Sequence, residues 1–341
     1  MLKKIFSTAM FICLGILAPL LLLELVFRLV PTVAPAKWDD RPSTYFLPAD
    51  AVRSADFRYQ SPKPAGTFRI AVVGDSFTFG PFLQFDDTFV KRMERWLALN
   101  AAPSRKFEVL NYGVPSYSTS NEVDLVSKAL AEGADLILLQ ITLNDAEAKP
   151  LRPEGTITAF EKNLDLSSGL LKHSKLAQFI ALRLHNRASR LDYEHYYEEL
   201  FSNWRTFGPF KDALRRIEQN CRTAGVPVAA VVFPLFGHPV DLSYPFADIH
   251  RKIADTLSGL RIPMLDLLEA YRGVPIERMQ VIPGVDRHPN EIAHRIAAEH
   301  ILIWLDSKQL IPSGSLPANR VAQRIGIQPQ HNEGAGAAPA D

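Results

Sequence analysis

Cysteine is nearly absent from this 341-residue chain: Cys13 lies in an N-terminal apolar run and Cys221 in a helical pattern far along the sequence. Two residues so placed give no disulfide framework, and no Cys/His cluster has the spacing of a zinc site. Neither a metal nor a cofactor is expected. An excess of one charge sign is missing too. The 38 Lys and Arg residues balance 37 Asp and Glu to a net charge of +1, and no polybasic run is interleaved with aromatics, so nothing suggests a nucleic-acid partner. What is present, 47% hydrophobic and 22% charged residues, suits a substantial core, in one large domain or two small ones.

The longest apolar run is N-terminal. Residues 5–23 carry no charge, which at about 1.5 Å per residue nears the thickness of a bilayer's hydrocarbon core. Glu24 and Arg28 follow and would sit near an interface. A cleavable signal peptide would share the basic start, Lys3 and Lys4, but this run exceeds the usual h-region and no clean small-x-small site precedes Pro31. Residues 1–31 therefore read as an uncleaved, single-pass inner-membrane anchor. Lys3 and Lys4 would hold the N-terminus in the cytoplasm and leave the bulk of the chain in the periplasm. Residues 32–66, rich in Pro, Ala and charge, read as a juxtamembrane lead-in. Residues 312–341 drift to Pro, Gly, Ala, Gln and Ser and cannot bury enough apolar surface to offset ordering, so a disordered tail is expected.

Between them, residues 67–311 alternate two periods. Short apolar runs at 68–73, 107–111, 136–141, 227–233 and 262–265 read as strands, and apolar residues recur at three and four over 88–100, 120–132 and 210–224. Strands separated by helices imply a five-stranded parallel sheet covered on both faces, an α/β sandwich with right-handed crossovers. Residues 149–208 exceed an ordinary crossover and read as a helical insertion. It follows the 144 loop, so it lies either as a cap over the carboxyl edge or simply against the sheet. Its Tyr196, Tyr197 and Trp204 are either substrate-contacting groups for sugar or acyl chains or core residues.

The stretch 69–80 organises the rest. Ile70 to Val73 form a buried strand whose carboxyl tip holds Ser76, at the sheet edge where ligands bind and where a following helix turns its free N–H groups. Three later blocks join it. Gly74-Asp75-Ser76-Phe77, Asn111-Tyr112-Gly113, Thr142-Leu143-Asn144-Asp145 and Asp286-Arg287-His288-Pro289-Asn290 resemble, in order, the four blocks of the SGNH (GDSL-type) hydrolases. The resemblance spans residues 69 to about 305 and implies a three-layer, flavodoxin-like α/β/α fold.

It also implies a chemistry. A serine hydroxyl needs a base within reach and a group that orients that base. The resemblance makes Ser76 the nucleophile, His288 the base and Asp286 its orienting acid. It gives the oxyanion to the N–H groups of Ser76 and Gly113 and the side-chain amide of Asn144. The sequence departs from the common pattern at three points. Asp286 precedes His288 by two residues rather than three, which leaves a backbone carbonyl as an alternative orienting group and a turn or cap as an alternative role for Asp286. Thr142 and Ser116 stand where glycines often occur. Asp75 and Asp145 read as loop-holding carboxylates. The expected function is an extracytoplasmic serine esterase or acylhydrolase acting on an acylated small molecule, lipid or glycan. An O-acyltransferase modifying an envelope or exported polysaccharide is the alternative, and a non-catalytic binding factor of the same fold is a third.

Overall fold

The structure is a computed structural model that describes residues 2–29, 59–101, 105–147, 164–167, 169–284 and 286–316. Most of the expected lead-in, residues 149–163 of the insertion and most of the expected tail lie outside these. In chain order the elements are α1 (Leu2–Leu29), β1 (Thr67–Gly74), α2 (Ser76–Phe79), α3 (Phe89–Asn100), β2 (Lys106–Gly113), α4 (Thr119–Ala131), β3 (Leu136–Ile141) and α5 (Lys175–Ser202). They continue as α6 (Trp204–Ala224), β4 (Val228–Val232), α7 (Ala247–Gly259), β5 (Met264–Asp266), α8 (Leu268–Tyr271), β6 (Gln280–Ile282), β7 (Asp286–Pro289) and α9 (Glu291–Ser307).

Five strands form one parallel sheet in the order β2-β1-β3-β4-β5. The unbroken apolar runs explain its depth. Ile70 to Val73 in β1 and Leu136 to Leu139 in β3 are fully buried, as strands covered on both faces must be. The strand order reverses between β1 and β3, which opens a crevice at their carboxyl ends. The sequence places Ser76 after β1 and Asn144 after β3, at that crevice.

Local chemistry sets the helix ends. Thr88 accepts from the Lys91 N–H to start α3, Ser118 and Asn121 form a capping box on α4, and Asn290 accepts from Ile292 and Ala293 at α9. Helix α6 starts six residues earlier than the periodicity predicts. Asn203 caps it at Arg205, and Pro209, the sixth helical residue, forgoes the one bond its N–H would have made to the Arg205 carbonyl. At the sheet's opposite edge Arg69 is fully buried. It donates to Glu108 at 2.8 Å, to the Gln60 carbonyl at 2.7 Å and to the Glu132 carbonyl, with its guanidinium over the Tyr59 ring. Packing thus extends before residue 67, and buried Ser315 and Leu316 carry it past 311.

Helix α1 is the one described helix long and apolar enough to cross a bilayer, over Met10–Leu29, with a mean hydropathy of 2.6. Its length and composition fit a membrane span or a signal sequence. Its last turns meet α5. Glu24 accepts from the Ser174 hydroxyl at 2.8 Å and from the N–H groups of Lys175 at 3.0 Å and Leu176 at 2.9 Å, and Phe27 packs on Phe179.

Candidate active site

The site is built from four chain segments at the carboxyl edge. After β1, Asp75 caps α2 by accepting from the Phe77 N–H at 2.9 Å, which turns the chain and leaves Ser76 at the helix start, partly exposed. No acceptor among the described residues meets the Ser76 N–H, as the first turn of a helix dictates.

His288 comes from β7, paired antiparallel to β6 in a small second sheet. His288 is thus a strand residue. This placement explains the unusual Asp spacing, because residues two apart in a strand share a face. Asp286 Oδ1 therefore faces the imidazole Nδ1 at 2.7 Å and also accepts the His288 backbone N–H at 2.8 Å. A donating Nδ1–H leaves Nε2 as the acceptor, and it lies 3.0 Å from Ser76 Oγ. Asp286 is buried, while the His288 side chain is 35% exposed. The Phe77 ring packs edge-on against the imidazole and limits its tilt.

After β3, a tight turn (Leu143–Ala146) presents Asn144. Asp75 Oδ2 accepts from Asn144 Nδ2 and from the Thr142 hydroxyl, each at 2.9 Å, and Thr142 also contacts Asn144 Oδ1. One amide N–H of Asn144 thus stays available. Asp145 accepts from the Thr142 N–H at 2.6 Å and closes the turn. These bonds fit the loop-holding role that the sequence suggests for both aspartates. They also use the Thr142 hydroxyl, which a glycine would lack.

Gly113 behaves differently from the expectation. Its N–H is committed to Asn111 Oδ1 at 2.9 Å, so it is not aimed at substrate. The glycine is needed for another close approach: a Cβ there would lie 2.2 Å from the Phe79 N and 2.6 Å from the Thr78 carbonyl carbon, inside the backbone of α2. Three residues on, exposed Ser116 adopts φ +65°, a left-handed conformation rare for serine, and its N–H meets no acceptor among the described residues. The sequence marks Ser116 only as a replaced glycine. Its positive φ is the signal that the position is special.

The insertion reaches this edge. Tyr193 of α5 stacks under the Arg287 guanidinium, 5.1 Å to the ring centroid, and the Tyr196 hydroxyl donates to Glu147 at 2.6 Å just after the Asn144 turn. Tyr197 is buried against Tyr193 and Phe246 and belongs to the core, whereas Trp204 stands 77% exposed beside Arg205. Buried His238 lies next to Tyr193. Desolvation, helped by Arg190 and Arg287, lowers its pKa to about 4. Burial pushes the Cys221 thiol up to about 12, which makes it a core group rather than a nucleophile. Among the described residues no group of three His, Cys, Asp or Glu side chains is placed to hold a metal ion.

No family model matches the sequence, and no curated protein matches it. Among solved structures the chain is similar to TesA, 16% identical over 70% of this chain and 98% of that one with a TM-score of 0.43. It is similar to Axe2, an acetylxylan esterase from Geobacillus stearothermophilus, 14% identical over 69% and 93% with a TM-score of 0.41. A two-domain esterase active on acetylated mannans is 15% identical over 74% of this chain and 52% of that one, with a TM-score of 0.43.

Proposed function

We propose that this chain is an SGNH-type serine hydrolase that cleaves carboxylic esters through an acyl-enzyme. The single observation that carries the reading is the continuous relay from Ser76 Oγ to His288 Nε2 at 3.0 Å and from His288 Nδ1 to Asp286 at 2.7 Å. Ser76 Oγ bonds to the ester carbonyl carbon while its proton passes to His288 Nε2, and Asp286 stabilises the imidazolium. The carbonyl oxygen becomes an oxyanion, for which the Ser76 N–H and the free amide N–H of Asn144 are the available donors. The Ser116 N–H takes the part first expected of Gly113. Collapse breaks the C–O bond, and His288 returns the proton to the departing alcohol. Water then repeats the sequence on the acyl-enzyme, losing a proton to His288 and restoring the Ser76 hydroxyl as the acid leaves. A group transfer to a sugar hydroxyl would use the same relay with that hydroxyl in place of water.

In this reading α1 anchors the chain, with the domain outside the cytoplasm. It is supported by the hydropathy of Met10–Leu29 and by Glu24, which serves a folded contact with α5 that a discarded leader would not need. The test is turnover of p-nitrophenyl acetate by the full chain in detergent. Ser76→Ala should cut kcat by at least about 10⁴-fold with thermal unfolding unchanged. Turnover retained by that variant removes the proposal.

A further inference from the structure

Beneath the Asn144 turn lie acidic groups that the relay does not use. Glu122, in the first turns of α4, is fully buried, and neither of its carboxyl oxygens has a hydrogen-bond partner. Asp145 is 1% exposed. Its Oδ2 accepts from Thr142, but its Oδ1 has no partner. The buried Thr119 hydroxyl faces the same carboxyl without closing a bond of good geometry. Among the described residues the other ionisable groups that bear on them are Asp75, from the β1–α2 turn, which acts on both, and Glu147, at the end of the Asn144 turn, which acts on Asp145; both are acidic.

Two buried carboxyls with orphaned oxygens, in acidic surroundings, are untenable as two anions. Burial first, and then the neighbouring acids, drive both well above the ordinary carboxylate range. The proton has a preferred home. Asp145 receives a backbone N–H, which favours its charged form, and Glu122 receives none.

We propose that Glu122 holds a proton and donates it to the unpaired Oδ1 of Asp145, forming an acid–carboxylate clamp that positions Asn144 for the oxyanion. Glu122 is then a positioning residue: Asp145 closes the turn on Thr142, and Thr142 and Asp75 orient the Asn144 amide. The assignment rests on the ester-hydrolase reading for its catalytic consequence but not for the clamp itself, so the two are tested apart.

The clamp is read by infrared difference spectroscopy on the full chain. At neutral pH the wild type shows the carbonyl band of a protonated carboxyl, and Glu122→Gln lacks it. Thermal unfolding gives the second reading. Because the folded pKa exceeds the unfolded one, the clamp's stabilisation is complete below the ordinary carboxylate range and is lost as pH rises toward the raised value. The wild-type Tm should fall over that interval, and the Glu122→Gln profile should be flatter.

If the hydrolase reading holds, kcat falls on the alkaline side as the pair loses its proton. Glu122→Gln, whose amide donates without titrating, keeps kcat within about threefold and loses that alkaline limb. Glu122→Ala lowers kcat about tenfold or more at unchanged KM. An absent carboxyl band, or superimposable pH profiles of wild type and Glu122→Gln in both kcat and Tm, overturns the clamp. A band that disappears in Glu122→Gln from a chain inactive on esters upholds it and removes only the catalytic reading.

Discussion

Two His–Asp pairs stand in the described part of this chain, and only one faces a hydroxyl. His288 Nδ1 meets Asp286 at 2.7 Å, and His250 Nδ1 meets the two oxygens of Asp266 at 3.0 and 3.1 Å. The His250 side chain, however, is 1% exposed, with Tyr244 edge-on and Nε2 buried without a partner. Asp266 also accepts from the Leu268 N–H, so that pair joins α7 to β5 and turns the chain into α8. The His288 side chain is partly open, and its second nitrogen reaches Ser76. An oriented imidazole is therefore an ordinary structural device. It becomes a chemical one where a nucleophile and a path for substrate meet its far side.

Substitutions can break this contrast. Asp286→Asn, which leaves the shape but allows the wrong tautomer, should lower kcat by about 10³-fold or more and move Tm little. His250→Gln should do the reverse, costing about 1–3 kcal/mol of stability through the orphaned Asp266 while kcat at permissive temperature stays near wild type. Equal losses of kcat in the two variants, measured beside calorimetric unfolding, would erase the distinction. The smallest effect belongs to Ser116→Gly. It keeps the N–H and relieves the positive φ, so a gain of about 1 kcal/mol with kcat nearly unchanged is expected. A large fall in kcat there would show that the serine hydroxyl takes part.

The sequence reveals the strands well because β1 and β3 are buried on both faces and their apolar runs have no competing period. Ser76, Asn144 and His288 are legible from their ordered blocks. Strands β6 and β7 are not, since three and four residues are too few to show alternation and Pro283-Gly284 reads only as a turn. The burial of Glu122 is hidden for a local reason: an acid near a helix start has the pattern of a solvated partner of the helix dipole, and only tertiary packing buries it. The burial of Arg69 at the other sheet edge is hidden too, because its carbonyl acceptors, Gln60 and Glu132, lie outside its own strand. Gly113 stands out in its block, but what its missing Cβ makes room for is α2.

The meeting of Glu24 with the amino end of α5 has a practical consequence. A carboxylate about 150 residues upstream satisfies two N–H groups of α5, alongside that helix's own Ser174, which serves Ala177. Removing α1 therefore strips one end of the long rod that runs to Tyr193 and the Arg287 stack. A protein lacking α1 would begin this helix frayed, and the edge that carries Ser76 and His288 would report on a looser molecule than the full chain.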